Sequence, residues 1–375
     1  MEILVLMLLL TGVAVGQMLL YAKWVFRRLD YTCRLSREEA REGEEIEILE
    51  TVANRKWLPV PWLKSEITTA RWLDSAGAQS VVTDKTRFVP SFFICKSYQK
   101  VQRTWKVRCL KRGVFRLQSA VLVASDLLGM SSLSQPVEVD SQIMVLPGEL
   151  DVPARFSSPR HLYGDFSVRR NLLADPFFIA GVREYAFGDP MNRIHWPATA
   201  RERRLMVYQN EYTARQSAAV VLNIQSREFE SREVIDAPAV EDAIRVCAWL
   251  FREVAGAGVP LRFLANGPVE AGSRAATVSE EYFGPEHVHD LLVLLARLEL
   301  ASTQPFGDFL AEWYDGLTAS NLFLVTAYLN ETILDFARGK AESGASVKIF
   351  VTAWLDEAPD DVEVYCLKDR GEGRI

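Results

Sequence analysis

Residues 181–201 carry a concentration of side chains that could catalyse acid–base chemistry or bind an anion. Aspartate, histidine and tyrosine are groups that transfer protons in enzymes. Every basic residue between positions 151 and 215 is an arginine, and arginine is favoured where a carboxylate or phosphate is held by two parallel hydrogen bonds. We therefore predict a binding cluster here. Its members are Arg183, Glu184, Tyr185, Gly188, Asp189, Arg193, His195, Trp196 and Arg201.

The same residues also fit a purely structural role. Gly188-Asp189-Pro190 is typical of a turn, and Trp196 would fill a hydrophobic gap. The arginine and aspartate side chains would neutralise each other as a lock between domains. The functional interpretation is a docking patch for an acidic protein surface or a small anion, and both interpretations stay open. A lone histidine beside tryptophan and proline is more often hydrogen-bonded in an interface than catalytic, so His195 is not predicted as a general base.

No other sequence pattern sets up a catalytic group. The chain lacks the glycine-rich loops that bind nucleotides, the paired-histidine motif of zinc proteases and the serine motif of hydrolases. His287 and His289 have a spacing that points their rings to different faces of a helix, which makes a weak zinc pair. We predict no enzymatic activity and no cofactor. The alternative is a hydrolase or phosphate-handling enzyme that uses Asp189, His195 and the nearby arginines.

Residues 1–28 are predicted to form a membrane anchor with a basic flank. The stretch from Ile3 to Leu20 contains no charged residue and is just long enough to span a bilayer. Aromatic and basic side chains follow it, which predicts a single-pass helix in the plasma membrane with the remaining chain in the cytoplasm. A buried core helix is the alternative. The flanking residues are Tyr21, Lys23, Trp24, Arg27 and Arg28.

Residues 29–150 are predicted to form an all-β sandwich of immunoglobulin-like size. Polar and apolar residues alternate in several short runs, of which 45–52 and 114–123 are examples. Asn54 with Arg55, and Pro59 with Pro61, are interpreted as breaks between strands. The acidic residues of this domain are expected on its solvent faces, where charged groups usually lie.

Residues 151–215 are predicted to connect the sandwich to an α/β domain at 216–375. Buried strand patterns alternate with helical ones there, and such alternation indicates a parallel sheet covered by helices on both faces. A binding site would lie beyond the carboxyl ends of the strands, the first of which ends at Asn223 and the third at Thr326. The predicted strands are 218–224, 261–265, 322–326 and 347–352, and the predicted helices 240–254, 286–300, 306–317 and 331–340.

The formal net charge of −6 is unevenly distributed along the chain. Residues 1–150 carry 20 basic and 16 acidic side chains, residues 151–215 carry 10 and 7, and residues 216–375 carry 13 and 26. Phosphate backbones repel so acidic a domain, so nucleic acid is not predicted as a ligand. The five cysteines form no CxxC pair and leave one unpaired in any disulfide scheme, which suits a reducing compartment.

The pattern from Arg183 to Arg201 resembles the signature of the bacterial family called domain of unknown function 58. Lys111-Arg112-Gly113 and Asp126-Leu-Leu-Gly129 are similar to the β domain of that family, so the resemblance extends over nearly the whole chain after the anchor. The residues that carry the signature are Arg183, Glu184, Tyr185, Gly188, Asp189, Arg193, Ile194, His195, Trp196, Ala200 and Arg201.

The resemblance implies a membrane-anchored protein with a von Willebrand A-like domain and a MoxR-type AAA+ ATPase as a partner. Such domains usually hold Mg²⁺ through an Asp-x-Ser-x-Ser loop, because hard cations require oxygen ligands. Here Asn223, Gln225 and Arg227 replace those three ligands. We therefore expect a degenerate metal site at Asn223, Gln225, Ser226 and Thr326, with residual binding through the last two as the alternative. The predicted function is a membrane-anchored, non-enzymatic adaptor or scaffold that binds a protein partner.

Overall fold

The chain folds into two compact units, Met1–Gly148 and Glu149–Ile375, in a computed structural model. The structure describes residues 2–74, 81–84, 86–148, 150, 152, 156–157, 179–185, 194–210, 217–230, 232–270, 272–353, 355, 359 and 361–367.

The first unit begins with a 23-residue helix, α1, at Glu2–Trp24. Within it Ile3–Trp24 is long and apolar enough to cross a membrane, with a mean hydropathy of 2.5, and none of its most apolar stretch is buried. The C-terminal part of the helix packs against the rest of the unit. Tyr21, and Val25 directly after the helix, each keep 2% exposure in the hydrophobic core. The predicted apolar helix is confirmed, and its exposed side chains differ from those of a buried core helix.

A β-sandwich follows the helix, as predicted. Its first sheet has the strand order β1-β3-β8-β5 and its second the order β2-β10-β9-β4-β7-β6. Inward side chains alternate with outward ones, because successive residues of a strand face opposite sides. The strands are β1 Leu29–Leu35, β2 Glu39–Arg41, β3 Glu45–Asn54, β4 Val60–Ala70, β5 Leu73–Asp74, β6 Val81–Val82, β7 Thr86–Cys95, β8 Lys100–Cys109, β9 Gly113–Ser125 and β10 Ser132–Leu146.

Two expectations about the sandwich are wrong. Pro61 does not separate strands but lies inside β4, at a register shift between Val60 and Leu63 where a missing backbone donor is tolerated. The acidic residues are not confined to the solvent faces, because Glu50 is fully buried and Asp126 is 2% exposed. Glu50 lies on the same face of β3 as Ile46, Ile48 and Val52, and this face points into the core.

The second unit contains a seven-stranded sheet with the order β11-β19-β18-β17-β14-β15-β16. The five inner strands, from β19 to β15, run parallel, and the two edge strands pair antiparallel. Every residue of β14 and β17 is buried, which is the pattern of strands covered on both faces. The strands are β11 Phe156–Ser157, β14 Ala218–Leu222, β15 Leu261–Ala265, β16 Thr277–Val278, β17 Asn321–Thr326, β18 Ser346–Val351 and β19 Glu363–Leu367.

Four helices of this unit pack against the sheet or against one another. Phe251 of the first contacts Phe263 of β15, with ring centroids 5.3 Å apart, while Phe306 and Phe309 join the core that lies on the other face of the sheet. The helices are α3 Ala237–Gly256, α4 Pro285–Arg297, α5 Phe306–Glu312 and α6 Glu331–Glu342.

A separate two-stranded sheet of the second unit pairs β12 Ile179–Glu184 with β13 Met206–Asn210. A short helix, α2 Trp196–Glu202, lies between these strands in sequence. The second unit therefore includes the described residues of the segment that was predicted as a connection.

Candidate functional site

The carboxyl ends of three neighbouring parallel strands bring together the polar residues expected there. Asn223 and Asn266 directly follow β14 and β15, and Thr326 ends β17; all three are fully buried. The Asn223 amide nitrogen donates to the Thr326 hydroxyl at 3.1 Å, and the Asn266 amide nitrogen donates to the Asn223 side-chain oxygen at 3.3 Å. The sheet therefore places these side chains in one hydrogen-bonded group.

A carboxylate that the sequence did not point to completes this group. Glu230 is 8% exposed and accepts hydrogen bonds from the Ser226 backbone N–H at 2.5 Å and the Ser226 hydroxyl at 2.7 Å. It also accepts one from the Ile235 backbone N–H. Gln225 donates to the Glu230 carbonyl oxygen and accepts from the Phe306 backbone N–H, both at 2.8 Å. We call the following residues the edge cluster: Asn223, Gln225, Ser226, Glu230, Asn266 and Thr326.

The edge cluster does not fit a divalent cation. Glu230 supplies its only carboxylate, and both carboxylate oxygens already accept hydrogen bonds. The Thr326 hydroxyl accepts from Asn223 and donates to the Tyr328 carbonyl oxygen at 2.8 Å. A cation needs several oxygen ligands with free lone pairs, so it would have to replace these bonds. Within the described ranges, no group of three or more His, Cys, Asp or Glu could hold a metal ion.

The edge cluster supports an exposed loop at 227–229. Phe229 lies in the loop with 94% of its surface exposed, while its neighbours Ser226 and Glu230 are held by hydrogen bonds. The Glu228 carboxylate accepts from the Asn330 side chain at 2.9 Å, and Asn330 also caps α6 by accepting from the Ile333 backbone N–H. An aromatic ring thus projects into solvent from a loop whose two ends are fixed. In the sequence, the signal for this loop is a phenylalanine that stands among charged residues.

His195 has a definite structural role in the 181–201 segment. Its Nδ1 accepts from the Ala198 backbone N–H at 2.9 Å and so caps α2, while the backbone N–H of His195 donates to the Met206 carbonyl oxygen at 2.7 Å. The cap requires that Nδ1 carry no proton, which leaves Nε2 as the protonated nitrogen of the neutral ring. The lone pair that a general base would use is therefore engaged in the cap.

The other residues of the predicted binding cluster are only partly brought together. Arg183 and Glu184 lie in β12, Tyr185 follows it, and Glu184 pairs with Arg204 at 3.3 Å on the surface. Gly188, Asp189 and Arg193 lie outside the described residues, as does the Arg183 side chain. Arg201 is exposed in α2.

One structural expectation for this segment is wrong. Trp196 does not fill a hydrophobic gap, because 65% of its surface is exposed. It is the first residue of α2, directly after the capping His195, and α2 buries none of its residues.

The β-sandwich also contains a polar cluster that the sequence reasoning missed. The Glu50 carboxylate accepts from Tyr31 and Ser65, both at 2.8 Å, from Trp105 at 2.7 Å and from Ser91. These donors come from both sheets, so the carboxylate ties the two layers together. Burial, and next the charge of Glu50, raise the pKa of the Tyr31 hydroxyl, which therefore remains a donor. We call these five residues the core cluster.

Comparison with known proteins supports the family resemblance in the second unit. Residues 181–269 match the family described as protein of unknown function DUF58. No curated protein matches the chain.

Several solved structures resemble part of the chain. A non-cellulosomal cohesin from Archaeoglobus fulgidus is 14% identical over 31% of this chain and 91% of that chain, with a TM-score of 0.21. The CARDB domain of a Pyrococcus furiosus protein, solved in complex with di-metal ions, is 13% identical over 33% of this chain and 98% of that chain, with a TM-score of 0.22. BslA, a bacterial hydrophobin, is 10% identical over 32% of this chain and 97% of that chain, with a TM-score of 0.21. These likenesses are too weak to indicate a function.

Proposed function

We propose that this chain, which resembles the DUF58 family in its central segment, is a membrane-anchored, non-enzymatic adaptor that binds a protein partner. The observation that carries the proposal is the edge cluster. Open α/β sheets bind ligands beyond the carboxyl ends of their strands, and here internal hydrogen bonds occupy that position. The same bonds hold a loop that exposes Phe229. This end of the sheet is suited to contact another protein rather than to bind a metal or a small substrate.

The partner-binding surface of the proposal is the 227–229 loop with the neighbouring Ile235, which is 65% exposed. A large aromatic side chain on a fixed loop loses little conformational entropy when it is buried, which is why such residues dominate binding energy at interfaces. The second unit would then be a von Willebrand A-like domain that has exchanged its metal site for hydrogen bonds. Arg227 would occupy the position of a metal ligand but would contact the protein partner instead.

The 181–201 segment would add a second contact region. Trp196 and Arg201 are exposed on α2, which favours docking over the structural lock for these two residues. The partner class that the family resemblance suggests is a MoxR-type AAA+ ATPase. We propose an ATPase of this type as the partner, and we propose that the chain itself catalyses no reaction.

The anchor of the proposal is α1. Its apolar surface is exposed, while Tyr21 packs into the core of the first unit and donates from its hydroxyl to the Pro59 carbonyl oxygen at 3.0 Å. A signal peptide is removed by cleavage, but removal of α1 would take Tyr21 out of this core. The helix is therefore better suited to remain as a plasma-membrane anchor. The basic flank Lys23, Arg27 and Arg28 supports a cytoplasmic location for both units.

The proposal is tested by crosslinked affinity purification of the full-length protein from its native membrane, with quantitative mass spectrometry of the recovered proteins. We expect one partner, an AAA+ ATPase, to be recovered with the wild type and to fall at least about tenfold with Phe229→Ala, since a central aromatic contributes roughly 2 kcal/mol or more. Phe283→Ala is the matched control, because Phe283 is 60% exposed beside Tyr282, which bridges to the opposite, amino end of β15.

Equal recovery of the partner with Phe229→Ala and Phe283→Ala would contradict the assignment of the 227–229 loop as the partner-binding surface. Recovery of no specific partner would contradict the adaptor function and would favour the enzyme alternative. Arg183→Ala extends the test to the 181–201 segment: a docking residue lowers capture at unchanged melting temperature, whereas a structural lock lowers the melting temperature.

The enzyme alternative, with Asp189, His195 and nearby arginines as acid–base groups and anion clamp, gains no support from the described residues. The Nδ1 lone pair of His195 is engaged by Ala198. A substrate screen on the full-length protein with His195→Ala as control checks this alternative. Turnover that is lost in the variant without unfolding would favour the enzyme over the adaptor.

A further inference from the structure

The first unit has a cavity of about 230 Å³ where α1 leaves the predicted membrane span. Three segments form it: the end of α1 with the residues that follow, the loop between β3 and β4, and the loop between β7 and β8. The lining residues that matter here are Trp24, Arg27, Arg28, Lys56, Trp57 and Tyr98.

The cavity is lined by three cationic side chains and by no acidic one. Among the described residues, no carboxylate forms an ion pair with Arg27, Arg28 or Lys56. Arg27 lies over the ring of Trp24, 4.7 Å from its centroid, and Lys56 donates to the Val25 carbonyl oxygen at 2.7 Å. Burial lowers the pKa of Lys56 to about 8. The cavity therefore presents positive charge that no lining carboxylate neutralises, and this charge would attract an anion.

The walls of the cavity are fixed by hydrogen bonds. The Asn54 side chain donates to the Leu58 and Lys96 carbonyl oxygens, both at 2.9 Å, and so ties the two loops together. The Tyr98 backbone N–H donates to the Lys56 carbonyl oxygen at 3.1 Å. The two loops that carry Lys56, Trp57 and Tyr98 are therefore held together before any ligand binds.

A turn of the sandwich contacts α1 about two helical turns before the cavity, within the apolar span. The Gln17 amide donates to the Asp126 carboxylate at 2.5 Å. Gln17 precedes Trp24 by seven residues, or about 10 Å at 1.5 Å per residue. Asp126 begins the turn between β9 and β10, which exposes 53% of Leu127, 61% of Leu128 and 68% of Met130.

This arrangement matches the chemistry of a membrane surface. Apolar side chains at the level of Gln17 would contact the acyl chains, while aromatic and basic side chains at the level of Trp24 would lie among the headgroups. A phosphate group is the anion that every phospholipid places at that level. The exposure of three large apolar side chains on one turn is otherwise unexplained by the fold.

We propose that the cavity binds the phosphate of an anionic phospholipid headgroup from the bilayer that α1 spans, with Leu127, Leu128 and Met130 immersed beside it. The first unit is then seated on the membrane rather than tethered above it. This inference rests on the proposed membrane anchor. It goes beyond that anchor because it names a ligand and a site on the β-sandwich.

The test titrates phosphatidylglycerol into the full-length protein in neutral detergent and measures retained lipid by native mass spectrometry. We expect Arg27→Gln with Arg28→Gln to bind about 30-fold more weakly, since each cation near a membrane surface contributes a factor of roughly five. Arg27→Lys with Arg28→Lys retains the charges and should keep most of the binding. Arg34→Gln with Arg37→Gln is the matched control, because both are exposed and lie beyond a Debye length of about 10 Å from the start of β1.

Unchanged binding in the Arg27/Arg28 glutamine variant, or an equal loss in the Arg34/Arg37 control, would overturn the site. Inorganic phosphate is run as a separate arm. Competition by inorganic phosphate at the same concentration as the lipid would show a free-phosphate site and would overturn the lipid assignment.

Alkaline carbonate extraction of the native membrane separates this inference from the anchor on which it rests. A wild-type protein that stays in the membrane but retains no phosphatidylglycerol contradicts only the headgroup site. A protein released by carbonate contradicts the membrane anchor, and with it both proposals.

Discussion

Each of the two units buries one carboxylate that accepts hydrogen bonds from uncharged donors. The two carboxylates lie in different parts of their units. In the sandwich, Glu50 lies between the sheets and accepts from four side chains that belong to both layers. In the second unit, Glu230 lies at the carboxyl edge of the sheet and accepts from Ser226 and Ile235. The first carboxylate joins two layers, whereas the second fixes a loop. The same hydrogen-bonding chemistry therefore serves the fold in one unit and shapes an exposed surface in the other.

The largest effect is expected from removal of the core carboxylate. Glu50→Ala leaves the Tyr31, Ser65, Ser91 and Trp105 donors without their acceptor, and unsatisfied buried groups are costly. We expect the free energy of unfolding of the first unit to fall by about 3 to 5 kcal/mol. Hydrogen exchange resolved by segment measures this change separately for each unit.

Glu47→Ala is the matched control for that measurement, because Glu47 lies on the same strand and its side chain is exposed. A change within about 0.5 kcal/mol is expected for it. A similar small change for Glu50→Ala would show that the core cluster does not join the sheets.

An intermediate effect is expected at the edge cluster. Ser226→Ala removes the hydroxyl that donates to Glu230 and accepts from the Asp236 backbone N–H at 3.0 Å. Because one of these bonds involves a charged group, the second unit should lose about 1.5 to 3 kcal/mol. Segment-resolved hydrogen exchange should show the loss around 226–236 and leave the sandwich unchanged. A loss in the sandwich instead would contradict the independence of the two clusters.

A smaller effect is expected from the pH dependence of the sandwich. Burial lowers the pKa of Lys56 to about 8, below its ordinary value of 10.5, so the folded state releases this proton at lower pH than the unfolded state. The Lys56 contribution to stability is therefore least favourable below pH 8 and improves as the pH rises from about 8 to 10.5. Burial raises the pKa of the Cys33 and Cys109 thiols, which therefore cost stability over the same range in both the wild type and a Lys56→Met variant. The measurement is the difference in the free energy of unfolding between these two full-length proteins in neutral detergent, which should shift in favour of the wild type as the pH rises. A wild type that loses stability relative to Lys56→Met as the pH rises over this range would contradict the account.

The smallest effect is expected at Trp196. Because this side chain is 65% exposed, Trp196→Ala should change the stability of the second unit by less than about 0.5 kcal/mol. A buried tryptophan would cost about 3 to 5 kcal/mol. Thermal unfolding separates these values, and a large loss would restore the structural interpretation of the 181–201 segment.

The sequence predicted the regular elements of the second unit well, because they depend on local periodicity. Four expected strands and four expected helices correspond to described ones, and the parallel order places Asn223 near Thr326. Strand β19 was not foreseen, because its five residues have no long pattern. Glu230 was also missed, since its hydrogen bonds depend on how the 226–236 loop folds back, which no spacing rule expresses.

The sandwich shows a different limit. The alternating pattern predicts β3, but the expectation that charged residues of this domain lie on its solvent faces is wrong for Glu50. Period-two alternation already put Glu50 in phase with Ile48 and Val52, so the burial could have been predicted from that phase. The donors could not, because Ser65 and Ser91 come from the other sheet and their register is not encoded locally.

The central claim is that the edge cluster serves to present a partner-binding loop, whereas the core cluster serves only the fold. The most direct test compares partner capture from native membranes by full-length Glu230→Gln and Glu50→Gln proteins, at a temperature where both remain folded. The account predicts that Glu230→Gln loses capture although Phe229 is intact, and that Glu50→Gln captures as the wild type does. Equal capture by the two variants would contradict it.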